Sequence, residues 1–188
     1  MRRQITAFAN QTRYFLFSVT TVAMLLGCSG TNADSVKKSA PISDANIAAI
    51  VVGANKIDIS AADIALQRSK NSEIRKFAQR MKIDHNAVLN SAVKLVTRLG
   101  VTPVNNGLVA TLSKQSKEHE AKLKTLSGRA FDKSYIDHEV AYHKAVIGVI
   151  EDQLIPSAKN QELKDTLISV VPAFKAHLKH SEMIQSKL

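Results

Sequence analysis

The chain has no tryptophan, a single cysteine, four prolines and seven glycines in 188 residues, and only 5% of it is aromatic. Each scarcity removes something. With Cys28 alone, no disulfide can form within the chain, so the fold must hold by packing. The glycines build no Gly-rich phosphate loop, and no serine-based catalytic arrangement can be read. The lysines are scattered without interleaved aromatics, so the formal charge of +10 does not read as a nucleic-acid footprint. Beyond position 41 no strand-like alternation of useful length occurs. The Glu-x-x-His pairs of ferritin-type di-iron sites are also missing, since Glu139 and His143 are spaced one residue too far.

What is present begins with an address. Arg2, Arg3 and Arg13 precede residues 14–26, an apolar run of about 13 residues, too short to cross a bilayer and suited to a secretory signal. The run ends in "LLGCSG", which resembles a bacterial lipobox with Cys28 as the residue that is cleaved before and lipidated. A simple signal peptide that happens to contain a cysteine is the alternative. Ser29 favours delivery to the outer membrane, because an Asp there resembles an inner-membrane retention signal. The expected organisation is a signal peptide at 1–27, a tether at 28–42 and one domain at 43–188. Removing the signal takes away three arginines and no acid, leaving the mature chain near +7. That charge suits a solvated surface that favours anionic envelope polymers.

The domain reads as helix throughout. Ser43 caps a first helix, with seam Ile47, Val51, Ala54, Asp58, Ala61 and Ala65. Asn71 or Ser72 caps a second, whose seam runs Ile74, Ala78, Met81, His85, Val88, Ala92, and which Gly100 ends. A more polar segment covers 108–126. A fourth helix covers 130–154, with seam Ile136, Val140, His143, Ile147, Ile150 and Leu154. A fifth covers 160–186, with seam Leu163, Leu167, Val170, Phe174, His177, Ser181 and Ile184; Pro172 is expected to kink it. Segments 43–69 with 72–99 and 130–154 with 160–186 form two hairpins. A helix of roughly 19 residues covers about 28 Å, enough to carry the chain back along the bundle between them. This predicts an all-α, ferritin-like four-helix bundle with a helical crossover; an up-down-up-down bundle is the competitor.

Each long helix carries an ionisable residue in its apolar seam: Asp58, His85, His143 and His177. Counting from the turn near residue 70 puts Asp58 within a turn of His85. Counting from 157 or 158 puts His177 roughly 7 Å beyond the level of His143, with Glu139 closer to it. Unpaired burial of such groups is costly, so they should meet each other or something charged. Three imidazoles and a carboxylate suit one divalent metal such as zinc, iron, copper or nickel, with Glu139 a further candidate ligand. The alternative is a metal-free network in which Asp58 orients the histidines, in a non-enzymatic envelope scaffold or stress-related interaction protein. Asp84, Asp137 and His138 point off the seam, towards the surface or a supporting position, and His119 and His180 are expected to be exposed.

The stretches "NKIDI", "RKFAQRMKIDH", "LSGRAFDKSYIDHEVAYHKAVIGVIE" and "VPAFKAHL" resemble the bacterial domain-of-unknown-function family 4142. The resemblance implies an exported or outer-membrane protein with a ferritin-like fold and supplies no established activity. It places family-typical positions at Met81, Asp84, His85, Gly128, Phe131, Asp132, Tyr135, His143, Pro172 and His177. Where the family usually shows Glu, this chain has Asp58.

Overall fold

The computed structural model describes residues 41–188. The expected signal peptide, Cys28 and nearly all of the tether lie outside the described residues. The elements are α1 (Asp44–Arg68), α2 (Ser72–Arg98), α3 (Gly107–Thr125), α4 (Gly128–Val149), a π-helical turn (Ile150–Leu154), the single turn α5 (Ile155–Ser157) and α6 (Gln161–Gln185). No strand occurs among the described residues. None of their helices is long and apolar enough to cross a membrane.

The helix ends follow side-chain chemistry. Ser43 closes a reciprocal capping box with Asn46, and the side chains of Asn71, Asn106 and Asn160 accept from the first backbone N–H groups of α2, α3 and α6. Asn71 rather than Ser72 is therefore the cap of α2. At the other end of α2, Gly100 takes φ +65°, and the amides of Gly100 and Val101 donate to the carbonyls of Thr97 and Val96. This is a Schellman closure, which needs the left-handed backbone that glycine adopts at least cost. Pro172 lies inside α6, and the helix continues through it to Gln185.

The helices pair as α1 with α2 and α4 with α6, and the pairs close through α2 against α6 and α1 against α4. α3 lies along α1 and also touches α4, as a crossover between the hairpins requires. The apolar core divides into two clusters. One gathers Ala62, Ile74, Phe77, Met81, Phe131 and Ile184 near the α1–α2 turn. The other gathers Ile47, Ile50, Leu95, Ile150, Leu163 and Leu167 at the opposite end. Each fully buried side chain of this size contributes about 1.5–3 kcal/mol, so the two clusters supply the folding drive that a disulfide-free chain needs. Asp58, His85, Glu139, His143 and His177 are all buried and lie between them. The bundle thus carries one ionisable layer sandwiched by two apolar ones.

Candidate metal centre

Every long helix contributes to the layer, as the seam pattern predicts. Asp58 comes from α1, His85 from α2, Glu139 and His143 from α4, and His177 from α6. Nε2 of His85 lies 3.3 Å from Oδ2 of Asp58, and Nε2 of His143 lies 3.7 Å from the same oxygen. The three imidazoles converge: ring centroids are 5.7 Å apart for His85 and His143, 5.4 Å for His85 and His177, and 5.5 Å for His143 and His177. His85, His143 and His177 each offer an atom within 4.8 Å of the other two, and Asp58, Glu139 and His143 form a second such set.

The other nitrogen of each ring is already engaged. The amide nitrogen of Asn55 donates to the carbonyl of Val51 at 2.8 Å, which leaves its Oδ1 facing Nδ1 of His85 at 2.9 Å. Nδ1 of His85 must then be the donor. Nδ1 of His143 lies 3.0 Å from the carbonyl of Glu139, an obligate acceptor, so it too carries the proton. Nε2 of His177 lies 2.8 Å from Oδ2 of Asp84, again an acceptor. In neutral rings these bonds leave bare lone pairs on Nε2 of His85, Nε2 of His143 and Nδ1 of His177. Those three atoms, together with both oxygens of Asp58 and Oε2 of Glu139, are buried without a hydrogen-bond partner.

Electrostatics keeps the rings neutral. Burial, then repulsion from the neighbouring imidazoles, pushes His85 down to about 3. Burial brings His143 to about 4 and lowers His177. Burial raises Asp58 to about 7, while burial and the nearby Asp58 charge hold Glu139 well above its usual range. For Asp84, burial works upward, but hydrogen bonds from Arg80 and His177 outweigh it and leave the carboxyl below its ordinary value.

The proton inventory is short. One proton on Asp58 and one on Glu139 could satisfy at most two of the three bare nitrogens. A cation at their centre would satisfy all three and the carboxylate together. At metal–ligand lengths near 2.1 Å, two ligands of one ion are about 4.2 Å apart at most. The two contacts to Oδ2 of Asp58, at 3.3 and 3.7 Å, lie inside that limit, and the three imidazoles offer atoms within 4.8 Å of one another. A void of about 10 Å³ bordered by Asp58, His85 and His143 is the size of one ion or one water.

Glu139, a further candidate ligand, is buried in one set with Asp58 and His143, and its Oε2 lies 3.6 Å from Nδ1 of His143. One residue is placed differently from its sequence expectation. His119 is half-buried rather than exposed, stacked on His138 with centroids 3.7 Å apart, because α3 crosses α4 there. His180 is exposed as expected, and Asp137 stays in a surface pair with Lys133. Asn55 has no counterpart in the sequence reading. Its spacing of three from Asp58 puts both on one helix face, and that spacing was the available signal.

Residues 29–184 match the profile of a family described as Domain of unknown function (DUF4142). No curated protein matches the chain. Among solved structures, the crystal structure of a DUF305 fragment from Deinococcus radiodurans superposes with a TM-score of 0.68. It shares 13% identity over 79% of this chain and 99% of that one, a likeness of fold.

Proposed function

This chain belongs to the DUF4142 family, and on that premise we propose that it is an envelope lipoprotein whose ferritin-like bundle holds one divalent transition metal. One observation carries the metal reading: three buried imidazoles from three helices converge, each is pinned through one nitrogen with the other bare, and the bare nitrogens of His85 and His143 face the buried carboxylate of Asp58. Pinning of the far nitrogen is what orients metal-ligating histidines and fixes their tautomer. Asp58, His85, His143 and His177 would be the ligands, and Asn55, Asp84 and the Glu139 carbonyl their supports. Nitrogen-rich ligation with one carboxylate suits zinc, iron or copper.

Asp58, His85 and His143 border a void for one ion, and with His177 beside them the four donors would make a closed site. That favours holding or sequestering the metal over hydrolysis, which keeps a coordination position open for water. Asp58 must release its proton when the metal enters, so binding and proton release are coupled. Membrane attachment is proposed on "LLGCSG" and Cys28, with the outer membrane favoured by Ser29 and contact with anionic envelope polymers by the basic surface. Mass spectrometry of the mature protein should find acyl chains on Cys28 at the N-terminus; an unmodified cysteine, or another N-terminus, would remove the anchor.

The metal-free reading draws on the raised carboxyl of Asp58, since a neutral Asp58 could donate to one histidine. The two readings separate in a titration of chelator-treated protein with zinc, copper and iron, followed by melting. A ligand that binds only the folded state raises stability by about 2.7 kcal/mol at a hundredfold excess over Kd. Melting that is indifferent to all three metals supports the network without metal.

A further inference from the structure

Beside the ionisable layer lies an apolar cavity of about 190 Å³. α1, α2, α4 and α6 wall it with aliphatic side chains such as Ile50, Val88, Val149 and Leu167, and Leu108 and Leu112 of α3 border its outer side, where Thr111, Gln115 and Ala145 are exposed. No charged side chain lines it. Three of its wall positions, Ala48, Ala54 and Ala92, are buried alanines on the two helices of the first hairpin. A leucine at any of them would project into the space. Empty volume in a core is destabilising in proportion to its size, and apolar walls give water few partners.

The cavity shares Ala54, Asn55, Val146 and Phe174 with the small void at Asp58, His85 and His143. Phe174 is stacked on His85, with centroids 5.1 Å apart and planes 9° from parallel. Asn55 is the acceptor that orients the same ring. An occupant of the cavity would therefore rest on the two side chains that hold His85 in place.

We infer that this cavity is a binding site for a small uncharged apolar molecule, about the size of a benzene ring carrying one or two methyl groups. The size follows from volume, because a dry apolar cavity of about 150 Å³ accepts benzene or xenon. The class follows from the lining: a carboxylate or ammonium group would enter without a counter-charge, which is costly. Polar groups are confined to Asn55, Thr111, Gln115 and Thr166. Asn55 is already engaged with Val51 and His85, so it offers the occupant little.

The site does not depend on the metal reading, and its test uses the full chain after chelation. Toluene should raise the melting temperature saturably, and benzoate, the same ring with a charge, should leave it unchanged. Ala92→Phe and Ala48→Leu fill the cavity from α2 and from α1; in each variant that folds, the toluene response should be lost. No saturable response in the wild-type chain, an equal response to benzoate, or an undiminished response in a folded filled variant would overturn the inference.

Discussion

Asn55 and His85 form a one-way connection: the Asn55 amide nitrogen is committed to Val51, so its oxygen can only accept from Nδ1 of His85 at 2.9 Å. That single bond determines which nitrogen of His85 is left bare. Asn55→Leu should remove it while keeping a side chain of similar volume on α1. Metal affinity should fall about 10- to 100-fold, the usual consequence of losing a support behind a ligating histidine. Competition against a chromophoric chelator checks this, with circular dichroism showing that helix content is kept. Unchanged affinity would mean that Asn55 does not orient the ring.

The two buried carboxylates should behave differently. Burial, and then the Asp58 charge, raise Glu139 well above its usual range and favour its neutral carboxyl, which Glu139→Gln replaces with a neutral amide of the same shape. It should leave metal affinity within a few-fold of the wild type. Asp58→Asn removes the charge that meets the ion and should abolish stoichiometric binding. Equal losses in the two variants would make Glu139 a ligand.

Metal affinity should depend on pH through one proton. Asp58 gives up its proton at about 7 in the metal-free fold, whereas His85 and His143 stay neutral down to about 3 and about 4. Below about pH 7 the affinity should drop about tenfold per unit, the slope of one competing proton. Isothermal titration at several pH values measures the slope. A decline of several protons per ion would show that the histidines compete as well.

Without metal, the fold should lose stability as the pH falls from about 6.5. Burial lowers His85, His119, His138, His143 and His177 in the folded state from an ordinary value of 6.5. Below 6.5 the unfolded chain takes up these protons and the folded chain does not, so acid favours unfolding. Asp58 and Glu139 have the opposite sign, since their raised values let the folded state hold protons that the unfolded chain has released. Five histidines outweigh two carboxylates, so melting temperature should be lower at about pH 5 than at about pH 7. A flat or rising profile would contradict the neutral, buried imidazoles.

Much of this arrangement was legible in the sequence because helices repeat. Apolar spacing of three and four marked the seams, Asn and Ser caps marked the starts, and counting from a short turn brought Asp58 to His85. The second hairpin was harder. The π turn at Ile150–Leu154 inserts residues at a different pitch, and nothing in "IEDQL" distinguishes it from α-helix. Counting straight through it put His177 roughly 7 Å beyond the level of His143; the two rings meet with centroids 5.5 Å apart. On α6 the buried position is Val171 rather than Val170, a difference of one residue beside Pro172. The supports were the least visible part. Asn55 is a polar residue in an alanine-rich helix, and Asp84 stands next to His85 in sequence yet serves His177 from another helix. Such partners depend on how helices pack, which periodicity within one helix does not encode.

The most direct test is the metal content of protein purified without chelator or affinity histidines, measured by elemental analysis for the wild type and His85→Ala. The account predicts about one transition-metal ion per wild-type chain and none in His85→Ala, with helix content retained because the apolar clusters on either side of the layer are untouched. A wild-type protein that carries no metal, takes up none when it is offered, and melts identically in chelator would contradict it.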